Sequence, residues 1–355
     1  MKRRLVWSIG LALMLAGCGS SPVPPTAQVT PNTSAVVGVS PTSLPVPVAT
    51  STVGSAIAAA TSTAALPVST PTLEEGRLVD VGGYSLFIKC TGKGSPTVVM
   101  DADLGRSASE LDYVRSEVAK FAQACAYTRA RLGAEDPGPQ PRTSRKIVDD
   151  LHKLLANAHI EGPYVLVGNG FGGFNVRLYA SRYPGEVAGM VLVDAWHDDQ
   201  LKLDLATLPP RKPDENQALA NLRSFLEHTG DASANPEGVN LAESASQVHA
   251  TGQLGTLPLV VITRGRGYTY QPPEGFPLAL AQRLEQSWQA QQKLLARLSS
   301  NSTHVIAKEA GDLPTEAHEL VTEATRQVVQ AARSPMHVMP PCGKALEEHG
   351  GMCVR

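Results

Sequence analysis

The chain has 355 residues, 42% of them hydrophobic and 18% charged, enough for one large core of the α/β type. A formal net charge of −2 and a pI near 6.5 argue against a nucleic-acid-binding surface and against a polybasic membrane patch.

Lys2, Arg3 and Arg4 precede an apolar run from Leu5 to Ala16, the order of an export signal. A run of about a dozen apolar residues is too short to span a bilayer. It ends in Leu15-Ala16-Gly17-Cys18, which resembles a bacterial lipobox. That resemblance implies a signal over residues 1–18, lipid on the Cys18 thiol, and anchorage to the outer face of a bacterial membrane. An ordinary cleaved signal or a short anchor helix is the alternative. Residues 19–75 are mainly Ser, Thr, Pro, Ala and Val, with no charge before Glu74, and read as a disordered tether.

The folded part begins near residue 76. Gly76–Val81 and Tyr84–Cys90 predict two strands joined at Gly82-Gly83. Thr97–Asp101 and Ala124–Thr128 follow as strands, the former an apolar run of the kind buried on both faces. Between them Ser107–Gln123 carries Leu111, Val114, Val118 and Phe121 at helical spacing, with Ser107 and Ser109 placed as N-caps. After the turn cluster Asp136–Pro139, Thr143 or Ser144 caps a helix with Ile147, Val148, Leu151, Leu154 and Leu155 on one face. Tyr164–Gly173 reads Y-V-L-V-G-N-G-F-G-G, a short apolar strand feeding a glycine-dense corner and then a helix. Val187–Asp194 is a sixth strand.

Residues 196–256 are polar, Pro-rich and helical in patches (Asp214–His228, Asn240–His249), and read as a cap inserted over the sheet's carboxyl edge. The core pattern resumes with strand Leu257–Thr263, helix Leu278–Leu298, strand Thr303–Ala307 and closing helix Glu316–Ala332. Residues 334–355 remain as a polar tail. Eight strands alternating with helices after a hairpin predict a mostly parallel sheet with helices on both faces.

Over residues 76–333 this order resembles the bacterial α/β-hydrolase superfamily of the esterase/lipase-like type. The motifs that carry the likeness are T-V-V-M-D-A-D-L-G from Thr97, C-A-Y-T-R-A-R-L-G from Cys125, D-P-G-P from Asp136, the corner at Gly168–Gly172, and M-V-L-V-D-A from Met190. The resemblance implies a nucleophile elbow, G-x-S-x-G, at that corner. It also implies a histidine after the last strand, an acid to orient it, and backbone N–H groups for the oxyanion.

Carried over position by position, the catalytic roles are poorly filled. The serine position is Gly170, the histidine is either replaced by Asp312 or deleted before it, and Asp194 stands where the acid would be. The oxyanion-hole positions are Phe171, Asp103 and Leu104, with Asp103 replacing an expected glycine. An Asp103 carboxylate facing the pocket would oppose a developing oxyanion. Thr128 and Arg131 replace the Asp and Gly expected after the fourth strand. The resemblance therefore predicts a pseudoenzyme: a hydrolase fold without turnover, binding a small-molecule ligand or an envelope protein. The rival expectation is an active carboxylic-ester hydrolase with a rearranged site drawn from Ser107, Ser109, His197, His304 or His318. A weaker third one gathers Asp103, Asp194 and Asp312 around calcium, although no dedicated loop supports it. No cofactor and no metal is expected.

Four cysteines besides Cys18 suit an oxidising compartment. In the hydrolase arrangement the strands ending at Cys90 and beginning at Cys125 are antiparallel neighbours, so Cys90–Cys125 is expected, and Cys342–Cys353 is expected to staple the polar C-terminal tail. Free buried thiols are the alternative.

Overall fold

A nine-stranded sheet in the order β1-β2-β4-β3-β5-β6-β7-β8-β9 forms the centre of the computed structural model. The structure describes residues 73–133, 137–267, 269 and 272–354. The anchor expected at Cys18, almost all of the tether and Asp136 of the turn cluster lie outside the described residues.

In chain order, β1 (Arg77–Asp80) and β2 (Ser85–Thr91) form a hairpin, and β3 (Thr97–Asp101) follows. The hairpin turn closes because Gly82 and Gly83 donate their amides to the Asp80 carboxylate at 2.9 and 3.2 Å. A short 3₁₀ turn at Ala108–Leu111 leads into α1 (Asp112–Val118), and β4 (Ala124–Thr128) comes next. The predicted Ser107–Gln123 helix is thus shorter. Ser107 makes no capping bond; its hydroxyl pairs instead with that of Ser109 at 2.8 Å. Thr143 caps α2 (Ser144–Asn157), accepting from the Lys146 amide. Then come β5 (Tyr164–Asn169), α3 (Gly172–Arg182) and β6 (Val187–Val193).

Residues 196–256 hold α4 (Gln200–Thr207), α5 (Gln217–Glu227) and α6 (Leu241–His249), the last two capped by Asn216 and Asn240 side chains. The sheet resumes at β7 (Leu259–Arg264), followed by α7 (Leu278–Ala296) and β8 (Ser302–Ala307). The chain closes with α8 (Leu313–Glu316), α9 (His318–Arg333), α10 (Lys344–Glu348) and β9 (Gly351–Cys353).

The five pairings from β4 through β3, β5, β6 and β7 to β8 are parallel. Every residue of β3, β4, β5 and β7 is buried, as expected for strands covered on both faces. The expected eight strands become nine. The tail folds back as β9, antiparallel to β8, with Cys353 opposite Val305. Three residues are too few to show a strand period, and the Cys342–Cys353 disulfide holds them at the edge. The second bridge joins Cys90 to Cys125, which lie directly opposite each other across the antiparallel β2–β4 pair. Both disulfides are the expected ones.

Candidate functional site

The elbow is built as its sequence demands. The corner between β5 and α3 turns at Gly170, whose φ of +53° lies in the left-handed region. At Gly172 an added Cβ would collide with the backbone carbonyl of Asp101, so glycine is what lets α3 start against β3. A Cβ on Gly168 would likewise meet the Gly172 carbonyl and the Gly173 amide, so the glycine positions of the motif, Gly168 and Gly172, perform their structural work.

The middle position is occupied differently. A Cβ built on Gly170 would overlap Oδ1 and Cγ of Asp103. The space above the elbow, where a nucleophile's side chain would stand, is filled from the neighbouring loop. Asp103 Oδ1 accepts from the Phe171 amide at 2.6 Å and from the Leu104 amide at 2.8 Å. These two N–H groups are the expected oxyanion donors, so the Asp103 carboxylate is itself the anion they hold. Asp103 was expected to oppose an oxyanion; it stands in the oxyanion's place. Burial raises its pKa to about 6, against the pull of the Phe171 and Leu104 amides and of Arg129, with Asp194 adding to the rise.

The loop carrying Asp103 is fixed from below. Arg129, 1% exposed, donates to Asp101, to the carbonyls of Ala102 and Asp103 at 2.7 Å each, and to both oxygens of Glu237 at 2.6 and 2.7 Å. Glu237 comes from the segment between β6 and β7, is fully buried, and also accepts the Gly105 amide at 2.6 Å. Tyr127 and Asn175 complete the coordination of Asp101 at 2.6 and 3.0 Å. Arg129 lies within the quoted motif after Cys125. Glu237 had no sequence signal, since a lone glutamate in a polar segment looks like any surface residue. Arg131, where glycine was expected, adopts φ +75°.

Asp194 stands at the end of β6 with φ +46°, an unusual backbone for a residue with a side chain. Its carboxylate meets a guanidinium rather than an imidazole: Arg264 donates from its side chain at 2.7 Å and from its amide at 3.2 Å. Burial raises the Asp194 pKa and Arg264 opposes the rise. Arg264 is held in turn over the Trp288 ring, 4.2 Å from its centroid.

Asp312 precedes α8, its carbonyl accepting the Glu316 amide at 2.7 Å, and burial raises its pKa. Glu110 lies within electrostatic reach of both Asp103 and Asp312. Burial and those two acids push its pKa to about 7 against Arg106, 3.6 Å away, and its Oε2 has no hydrogen-bond partner.

Among the described residues no spare serine is hydrogen-bonded to a spare histidine, and Ser107 pairs only with Ser109. His197 Nδ1 accepts the Asp199 amide at 3.1 Å. His318 bonds the Thr315 carbonyl and packs on Tyr113. One hydroxyl–imidazole couple does exist, Thr263 Oγ1 to His304 Nε2 at 2.8 Å. It lies within the sheet, Thr263 is 0% exposed, and burial lowers the His304 pKa to about 4. His304 borders a polar cleft of about 320 Å³ with Ser300–Thr303 and the tail, at the amino end of β8 and thus at the edge opposite the elbow.

The calcium expectation does not assemble either. Asp103 and Asp194 have separate partners. Among the described residues the His, Cys and acid groups close enough to share an ion are His197, Asp198 and Asp199. Asp198 there is already bound to Arg177 at 2.9 Å and His249 at 2.7 Å.

Comparison with known proteins agrees with the fold. Residues 15–234, more than half of the chain, match the family model described as alpha/beta hydrolase fold. The uncharacterized protein YqjL of Bacillus subtilis is 26% identical over 220 residues, covering 62% of this chain and 77% of that one. A probable transporter, efuK of Hormonema carpetanum, is 29% identical over 125 residues, 33% of this chain, and the match spans 18% of the transporter. The enol-lactonase from Burkholderia xenovorans LB400 superposes with a TM-score of 0.50 at 16% identity, over 72% of this chain and all of that one. The first four curated relatives are matched over 18–26% of their own length.

Proposed function

The chain belongs to the α/β-hydrolase fold family, and from that premise we propose that it is a catalytically silent member, using the inherited site to bind rather than to turn over. The carrying observation is the Asp103 carboxylate seated on the Phe171 and Leu104 amides above Gly170. Acyl transfer in this fold needs a hydroxyl at the elbow, an imidazole to take its proton, and empty donors for the oxyanion. Here the elbow has no side chain, Asp194 holds a guanidinium, and the donors already hold an anion. Loss of nucleophile or base alone costs on the order of 10⁶ in turnover. A filled oxyanion hole removes much of what such enzymes retain.

We place the protein outside the cytoplasmic membrane, tethered through residues 19–75 to a lipid on Cys18. The two disulfides favour an oxidising compartment. The bound species is a small molecule or an envelope protein.

Incubation with p-nitrophenyl acetate and butyrate, alongside fluorophosphonate labelling, tests the silent reading. The expected result is hydrolysis at the buffer rate and no covalent adduct. Turnover that a fluorophosphonate abolishes would overturn it.

A further inference from the structure

The two disulfides sit in different surroundings. Cys90 is 2% exposed and Cys125 0%, within the sheet and closed to a reductant in solution. Cys342 and Cys353 are both partly exposed, and Cys342 borders the polar cleft of about 320 Å³ together with Pro340, Pro341 and Val354. A small thiol can approach that bridge from solvent.

The accessible bridge holds the outermost strand. β9 is three residues long and covers β8 on the side away from β7. Around that ladder the Lys308 amide donates to Gly350 at 3.2 Å and the Val354 amide donates to His304 at 2.9 Å. Residues before the bridge are tied to the body independently: Asn301 donates to the His337 carbonyl at 2.6 Å and accepts the Met339 amide at 2.8 Å. Beyond Cys342, over residues 343–354, Leu346 is the one buried apolar side chain, and Met352 is exposed. One buried leucine and a three-residue ladder are little against the conformational entropy of ordering that whole segment, so the covalent link decides whether it stays.

We propose that the Cys342–Cys353 bridge is a thiol-exchange site that latches the last strand: a dithiol reductant opens it, residues 343–354 leave β8, and the outer edge of β8 is freed to pair with another strand. One thiolate of the dithiol attacks a cystine sulfur, forming a mixed disulfide and expelling the other cysteine as a thiolate. The second thiol of the reductant then displaces the protein sulfur. The reductant closes to a disulfide, having given up two electrons, and its two protons end on Cys342 and Cys353. The latch lies at the sheet edge opposite the elbow and does not depend on whether the hydrolase site is silent.

Dithiothreitol added to the full chain without denaturant, followed by iodoacetamide and peptide mass mapping, makes the test. Amide hydrogen exchange is measured on the reduced chain before alkylation. Cys342 and Cys353 should be alkylated while Cys90–Cys125 stays bridged. The Lys308 and Val354 amides should exchange at least about tenfold faster than in the oxidised chain, with those of Val165, Leu166 and Val167 unchanged. The double variant Cys342→Ser, Cys353→Ser should show the same fast amides without reductant. Three results would each overturn the proposal: Cys342 and Cys353 unmodified in the native chain, both bridges opening at one rate, or Lys308 and Val354 still protected in the reduced chain or the double variant.

Discussion

Gly172 and Gly170 stand two residues apart in one turn and are glycine for different reasons. At Gly172 the obstacle to a side chain is backbone, the carbonyl of Asp101. No rotamer change relieves that clash, so this glycine belongs to the architecture and would be needed whether or not the protein did chemistry. At Gly170 the obstacle is the Asp103 side chain. That clash disappears if one other residue changes, leaving only the left-handed φ of +53° against a side chain, so this glycine belongs in larger part to the use of the site. The fold has kept what strand and helix need to meet, while the position between them has been given to a neighbouring acid.

The largest effect should come from Gly172→Ala, which forces β3 and α3 apart and should destabilise the protein by about 4 kcal/mol in urea or thermal unfolding. Next is Glu237→Ala. It leaves Arg129 buried with one carboxylate fewer, and removal of one partner from a buried ion network costs about 3 kcal/mol or more. Differential scanning calorimetry checks both. A small loss in either variant would mean that the loop beneath Asp103 is less rigidly held than its contacts imply.

A smaller effect separates the two glycines directly. Gly170→Ser alone should destabilise by about 2 kcal/mol and restore no esterase, and Asp103→Gly in the same chain should recover most of that stability. Gly172→Ala should gain nothing from Asp103→Gly. Additivity of the Gly170 and Asp103 changes in the double-mutant cycle would break the comparison.

The last effect, of similar size, is in pH. Asp103 holds its proton to about 6, whereas a free aspartate in the unfolded chain releases it near 4. The folded state therefore binds more protons across that window, and this contribution to stability falls as pH rises through it. His304, kept neutral by burial down to about 4, works in the opposite direction, so parent and variant must be compared. The stability of Asp103→Asn relative to the parent should grow between pH 4 and pH 7 by about 2 kcal/mol.

What was legible in the sequence divides along the same line. Apolar runs such as Thr97–Asp101 and Ala124–Thr128 have the observed strand bounds, because strands buried on both faces leave an uninterrupted apolar signature. The Cys90–Cys125 disulfide followed from strand adjacency, and the absence of a hydroxyl at position 170 could be read from one letter. The strand β9 was not legible, since a disulfide rather than hydrophobic periodicity places it. Nor was the direction of the Asp103 side chain. The same aspartate could have pointed to solvent, and only the two amide contacts show it turned inward. The partner of Asp194 was not legible either, because Arg264 ends a different strand and only the fold brings its guanidinium to that carboxylate.

The bond between Asp103 and the two elbow amides is what fills the oxyanion hole. Amide proton shifts of Phe171 and Leu104, followed by NMR through a pH titration, report on it. Both resonances should move together with a midpoint near pH 6, the pH at which Asp103 releases its proton, and neither should titrate there in Asp103→Asn. Two amides that stay flat through that range in the parent protein would mean that the carboxylate does not occupy the oxyanion hole.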